Sequence, residues 1–232
     1  MKKTLKAIIV FTIMAVLFCT VSTAFASDPA HLKRIKMAAE VLNEMAEQND
    51  AGSLGDVIAS GRGVAIFPRV GKAGFIVGGM GGQGIVLIKG KNGKWTGPAF
   101  MGIAGASFGL QIGASQTALV LVITNEAGLR AFTGGNSLTL GGDISVAAGP
   151  VGRNAKASTD GRASAAIYSY SMSKGLFAGL SIDGSQLNQN RDASNAYWGK
   201  PLSAQAALTK PATDKRIKPV VNALNRLVKK AQ

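Results

Sequence analysis

Glycine placement constrains this chain more than any other feature. Of its 30 glycines, 29 fall between Gly52 and Gly184, inside strand-like sequence instead of between strands. In Gly105 to Gly113, G-A-S-F-G-L-Q-I-G, Ala106, Phe108, Leu110 and Ile112 share one side of a period-2 strand. Gly105, Ser107, Gly109, Gln111 and Gly113 share the other. One face is built to pack, and the other is bare enough for a backbone, a helix or a ligand to approach closely. The same alternation is read at Leu138 to Val146, Ala166 to Ser173 and Leu176 to Asp183. A sheet must cover both faces, so the small-residue face is expected to seat a helix, with an apolar ligand groove as the alternative.

The N-terminus reads M-K-K-T-L-K, then an apolar run from Ala7 to Val21, then Ala24-Phe25-Ala26. A charged start, an apolar segment and a small-x-small site predict a signal peptide over residues 1–26. Export to the periplasm or cell envelope follows. About 206 residues remain, enough for one domain with a core. The single cysteine, Cys19, lies in the apolar run, so the processed chain is expected to carry no disulfide and no thiolate metal site. Net charge is +14, and removal of Lys2, Lys3 and Lys6 leaves +11. Such a field favours a polyanion. Export and sparse aromatics argue against nucleic acid and favour an anionic membrane surface.

The order of elements predicts an α+β fold. A helix over Pro29 to Gln48 carries an apolar stripe of Leu32, Ile35, Ala39, Leu42 and Met45. Its first half is basic and its second half acidic, against the helix dipole. Short strands start at Gly63, and Asn92-Gly93 marks a hairpin turn between Ile85–Lys89 and Lys94–Phe100. Thr117 to Thr124 is apolar throughout and predicts a central strand buried on both faces. Asn125 caps a short helix reaching about Phe132. The tail is expected to be helical over Ser185 to Trp198, Ala204 to Leu208 and Asp214 to Lys230. In the last helix Val220, Val221, Leu224, Leu227 and Val228 oppose a basic face, which suits core packing or a membrane.

Three motifs look catalytic. Gly105 to Gly109 matches G-x-S-x-G, but that elbow needs a strand-to-helix turn and a later histidine. Here a strand continues, and the only histidine, His31, comes earlier and reads as a helix-surface residue. Gly79, Gly81 and Gly84 match a dinucleotide fingerprint, but a strand follows where a helix must open, so they read as a flexible connection or bulged turn. Ser171 to Lys174 matches S-x-x-K without its companion elements. Asp143, Asp160 and Asp183 are far apart in sequence. The expectation is no enzyme, no cofactor and no metal.

Several segments in order carry a family resemblance. They are A-I-F-P (Ala65 to Pro68), A-G-F-I-V-G-G (Ala73 to Gly79) and P-A-F (Pro98 to Phe100). G-A-S-F-G-L-Q-I-G, L-V-L-V-I-T-N-E (Leu119 to Glu126) and S-V-A-A-G-P-V-G-R (Ser145 to Arg153) follow. Y-S-Y-S-M-S-K-G-L-F-A-G-L-S (Tyr168 to Ser181) and A-Y-W-G (Ala196 to Gly199) complete the set. Together they resemble the SYLF domain, also called Ysc84 or DUF500, in an exported bacterial form. The resemblance implies a non-enzymatic lipid-binding domain over residues 27–199, with residues 200–232 a basic helical tail. Its eukaryotic members bind phosphoinositides and, in fungi, actin. Export makes those ligands unexpected here and leaves anionic phospholipid, such as phosphatidylglycerol or cardiolipin. The family's basic N-terminal lipid contact maps onto Leu32 to Lys36.

The fold expected is a curved, mostly antiparallel, barrel-like sheet flanked by N- and C-terminal helices. The candidate lipid-binding residues are Lys33, Arg34 and Lys36 on the first helix, with Lys89, Lys91, Lys94 and Trp95 at the hairpin. Each also has a plain reading as a solvated charge or, for Trp95, a packing residue. The alternative function is an envelope assembly protein working through a protein partner.

Overall fold

The computed structural model describes residues 29–48, 51–134, 138–150, 165–173, 176–179 and 182–231. The expected signal peptide lies outside them. Helix α1 spans Ala30–Glu47 and α2 spans Ala51–Ser60. Strands β1 (Gly63–Lys89) and β2 (Trp95–Ile123) follow as one long hairpin, then α3 (Glu126–Thr133). Four short strands come next: β3 (Leu138–Thr139), β4 (Val146–Ala148), β5 (Ile167–Ser173) and β6 (Leu176–Gly179). The chain closes with β7 (Gln186–Gln189), α4 (Arg191–Trp198), α5 (Ala204–Leu208) and α6 (Lys218–Lys230).

The seven strands form one sheet centred on β2. Strand β1 pairs antiparallel along most of its length, from Gly63↔Ile123 to Lys89↔Trp95. On its other edge β2 takes β7 at Met101 to Ala104 and β5 at Ala118 to Ile123. Strand β4 joins β5 in parallel, the one parallel pair among the described strands. The sheet curls so far that the two ends of β1 meet. A side chain at Gly84 would sit 2.4 Å from the Ile66 carbonyl oxygen, and the Lys89 N–H donates to the Arg62 carbonyl at 2.8 Å. Such an approach requires glycine. The result is a curled half-barrel with flanking helices.

Both faces of the sheet are covered. Alternate residues of β2 go to opposite sides, as a period-2 strand requires. Phe100, Val120 and Val122 face α1, α2 and α6, where Leu42, Leu54 and Leu224 are fully buried. Met101, Leu119 and Leu121 face α3 and α5, against Phe132 and Leu208. The expected two-sided burial of Leu119 to Ile123 is observed, with every residue at 0% exposure. Asn125 caps α3 as expected, its side chain accepting from the Gly128 N–H at 3.0 Å. Helix α6 contributes Val220, Leu224 and Leu227 to the same core as α1.

Four expectations are corrected. The strands read separately from Gly63 are one strand, because glycine is tolerated inside a ladder whose partner spans it. Gly79, Gly81 and Gly84 pair with Ala106, Ala104 and Met101 and form no flexible connection. The strand expected over Leu138 to Val146 is broken by a turn, where Gly141 has φ +84° and the Asp143 carboxylate accepts from the Thr139 N–H at 2.8 Å. Gln186 to Gln189 is strand instead of helix, with Leu187 buried between exposed Gln186 and Asn188. At Gly105 the bare side receives Ser185, whose Oγ lies 2.8 Å from where a side chain would start, and the side chains of the rest of that face, Ser107 to Gly113, lie outside the described residues.

Candidate functional site

Lysines from elsewhere in the chain serve two helix ends. Carbonyls at a helix C-terminus lack partners and carry partial negative charge. Neither α1 nor α2 has a basic residue in its last turn. Lys230 of α6 donates to the Ala46 carbonyl of α1. Lys89 donates to the Ile58 and Ala59 carbonyls of α2, both at 2.6 Å, and its Nζ lies 5.5 Å from the Trp95 ring centroid. Burial lowers the Lys89 pKa from its ordinary value. The reversed charge order of α1 is therefore offset by a neighbour's cation.

Trp95 is buried at 7% exposure, and its Nε1–H donates to the Asn225 side-chain amide oxygen, Oδ1, at 3.1 Å. That bond lays the hairpin tip against α6. The tip also runs beside the 210–212 segment, since the Ala212 N–H donates to the Trp95 carbonyl at 3.0 Å. Lys91 and Lys94 are exposed at the tip, and Lys218, Arg226 and Lys229 are exposed on α6. Two basic segments far apart in sequence are thus brought into contact, with Arg226 directed to Glu47 of α1 at 3.9 Å. Lys89 and Trp95 stand behind the exposed lysines, engaged with α2 and α6.

The second basic region begins at α1. Lys33 and Lys36 are exposed, while Arg34 is half-buried. The Arg34 guanidinium lies 5.7 Å from the Phe100 ring centroid, and its buried Nη1 meets no hydrogen-bond partner among the described residues. Burial lowers its pKa from the arginine value, though a guanidinium stays charged at any physiological pH. Lys33 and Arg34 line a groove of about 370 Å³ with Met37, Pro68, Arg69 and Gln83. Arg69 had no signal in the sequence: it is one exposed residue between buried neighbours, brought to α1 by the curl of β1. No carboxylate lines this groove, and Lys33, Arg34 and Arg69 make no ion pair among the described residues.

His31 is half-buried at the helix surface, not fully exposed. Its ring meets Phe100 edge-on at 6.2 Å and Tyr197 at 6.4 Å. Burial first, then the charges of Arg216 and Arg34, lower its pKa from 6.5. Arg216 stacks 4.1 Å above Tyr197 and pairs with Asp214 at 2.7 Å. Burial, with Asp214 next, pushes the Tyr197 hydroxyl up to about 12.

The catalytic-looking motifs lack their required settings. Gly105 to Gly109 is strand paired with β1, so no elbow turns into a helix. The side chain of Ser107 lies outside the described residues. Ser171 is inside β5, and Lys174 lies outside the described residues. No group of three metal-ligating side chains occurs among the described residues. No described helix is long and apolar enough to cross a membrane.

A half-barrel sheet wrapped by helices, carrying surface cations, defines an α+β domain. The family Ysc84, described as "Las17-binding protein actin regulator", matches residues 104–231, and this chain belongs to it. Over 178 residues the chain is 39% identical to "SH3 domain-containing YSC84-like protein 1" of Xenopus laevis, covering 74% of this chain and 53% of that protein. It is 38% identical over 182 residues to the protein of that name in Homo sapiens, covering 76% and 53%. It is 34% identical over 189 residues to "LAS seventeen-binding protein 3" of Saccharomyces cerevisiae, covering 78% and 41%. The chain thus spans about half the length of these relatives, or less. One of these relatives is named for binding a protein and the others for an SH3 domain.

Proposed function

We propose that this protein is exported to the cell envelope and binds anionic phospholipid at a membrane surface without catalysing a reaction. The observation that carries this reading is the Trp95–Asn225 bond, which joins the hairpin tip, with exposed Lys91 and Lys94, to α6, with exposed Lys218 and Lys229. Each such cation near an anionic surface contributes about 1 kcal/mol. A net charge of +11 once Lys2, Lys3 and Lys6 are removed from the +14 of the whole chain adds long-range attraction. Lys33 and Lys36 at the start of α1 extend the cationic area, and the N-terminal signal supports export.

Co-sedimentation with vesicles tests it. Binding to phosphatidylcholine vesicles that contain phosphatidylglycerol or cardiolipin, absent with phosphatidylcholine alone and weakened at about 0.5 M salt, is the expected result. Binding that ignores lipid charge and salt removes the electrostatic account.

A second reading is favoured by the relatives' names. One relative is named for binding a protein, and others for an SH3 domain. On this reading the same basic surface docks an acidic envelope protein. Crosslinking that captures one stoichiometric protein partner, with no vesicle binding, supports it over the first.

A further inference from the structure

Helix α1 carries a face that its own domain leaves unpartnered. Its inward side, with Ile35, Ala38, Leu42 and Met45, is buried in the core. Its outward stripe is Lys33, Met37, Glu40 and Glu44, spaced by four, three and four residues along one line of the helix. Lys33, Glu40 and Glu44 are exposed, Met37 is half-buried, and exposed Lys36 stands beside them. A trough follows the stripe. The groove of about 370 Å³ at Lys33 and a second of about 300 Å³ at Glu40 and Glu44 share Met37, Pro68 and Arg69 as walls. One end is therefore basic, the other acidic, and the middle apolar. The charges are unsatisfied within the domain. Lys33, Lys36, Glu40 and Glu44 enter no ion pair among the described residues. Lys36 and Glu40 stand one turn apart with the cation first, the weaker order for such a pair. Lys33 and Lys36 also lie towards the positive end of the helix dipole, and Glu44 towards its negative end. Lys230 serves the Ala46 carbonyl but leaves those lysines unbalanced.

We propose that this stripe is a dimer interface, in which α1 of two copies pack antiparallel about a two-fold axis near Met37 and Glu40. Reversal makes the stripe its own complement. Lys33 of each copy meets Glu44 of the other, and Glu40 of each lies between Lys36 and Met37 of the other. The same reversal resolves the conflict with the dipole. The lysines come beside the negative end of the other helix, and Glu44 beside its positive end. Helix axes about 8–10 Å apart let each Met37 enter the apolar middle of the other copy's trough. A parallel pair would set lysine against lysine and glutamate against glutamate. The antiparallel contact is isologous, so it closes at two copies. A second copy is the occupant because the two signs sit in separate halves of one stripe, which matches itself reversed. The interface does not depend on the membrane reading. It assigns Lys33 and Lys36 to the other copy and leaves attraction to lipid with the hairpin tip and α6.

Sedimentation velocity of the purified protein, in low salt and at up to about 0.1 mM, tests the interface. A dimer is expected, with self-association weakened about tenfold or more at about 0.5 M salt. The double variant Lys33→Glu with Lys36→Glu should weaken self-association about tenfold or more, and so should Glu40→Lys with Glu44→Lys. Both should keep the parent's thermal midpoint, because all four residues are exposed. Mixed in equal amounts, the two double variants should form a heterodimer. A parent that stays monomeric, a dimer that both variants retain, or a mixture that stays monomeric overturns the interface. A monomeric parent whose binding to phosphatidylglycerol vesicles falls with Lys33→Glu and Lys36→Glu also overturns it, and gives those lysines to lipid.

Discussion

The indole N–H of Trp95 donates to the side-chain oxygen of Asn225 at 3.1 Å, across 130 residues of sequence. The ring behind that bond is at 7% exposure, so its N–H has no ready substitute in water. Asn225→Ala leaves a mostly buried donor unmade and should cost about 1–2 kcal/mol in urea denaturation. It should also loosen the hairpin tip from α6, so phosphatidylglycerol-vesicle affinity should fall although no charge is changed. A variant with parental stability and parental vesicle binding would show that the bond organises neither.

The lysines of the hairpin should separate by function. Lys89 supplies the cation at the end of α2, through two carbonyl bonds of 2.6 Å. Lys89→Met should destabilise by about 1–3 kcal/mol, read from the chemical-denaturation midpoint. Lys91 and Lys94 are exposed. The pair Lys91→Glu and Lys94→Glu should leave stability within about 0.5 kcal/mol. Its effect should appear in vesicle affinity, at about 1 kcal/mol or fivefold for each positive charge lost.

Two glycines of α2 should respond to alanine with opposite signs. At Gly55 an added methyl would lie 2.3 Å from the Leu227 carbonyl oxygen, because α2 crosses α6 with backbones nearly touching. Gly55→Ala should cost about 1–3 kcal/mol or more, since backbone must move. At Gly52 the nearest atom lies 3.7 Å away, an ordinary contact. Gly52→Ala should be neutral or stabilise by up to about 1 kcal/mol through helix propensity. Thermal midpoints of the two variants measured side by side check the contrast.

His31 should make the protein acid-sensitive in a defined window. Its folded pKa is below the unfolded 6.5, because burial and the charges of Arg216 and Arg34 disfavour the imidazolium. Above pH 6.5 the ring is neutral in both states and no stability is lost. As pH falls below 6.5 the unfolded chain takes up a proton that the folded chain resists, so stability declines until the folded ring also protonates. His31→Phe should flatten this part of the pH profile, measured as thermal midpoint between about pH 7.5 and 5. An unchanged slope would place the acid sensitivity elsewhere.

Much of the fold was legible because it is local. Thr117 to Thr124 announced a strand buried on both faces, observed from Leu119 to Ile123, Asn125 announced its cap, and Ala204 to Leu208 announced its helix. The errors have physical causes. Gly79, Gly81 and Gly84 look like punctuation, yet inside a hairpin whose partner strand spans them they are rungs of a ladder. The alternation of Gln186, Leu187 and Asn188 was a period-2 signal of strand, overridden by the helical character of the segment that follows. The candidate site was legible only in part. Lys33, Arg34, Lys91 and Lys94 could be picked out as clustered charges, but nothing local distinguishes Lys91 from Lys89. That difference depends on where α2 ends. Arg69 and Gln83 carry no sequence signal, since their meeting with α1 depends on a bend distributed along β1.

That bend has a kinetic consequence. The β1–β2 ladder starts at the Asn92-Gly93 turn with Lys89↔Trp95 and ends with Gly63↔Ile123. Each rung formed shortens the loop that the next must close, so this distant pairing can be reached by zipping outward from the turn. Arg69 and Gln83 lie fourteen residues apart on β1, a span of roughly 45 Å if the strand were straight. They can share a groove only after the ladder is long enough to curl and the Lys89 N–H has found the Arg62 carbonyl. Pairing of two copies along that trough would therefore report the closing event of folding, and a chain stalled part-way along its zipper would hold most of its sheet yet stay single.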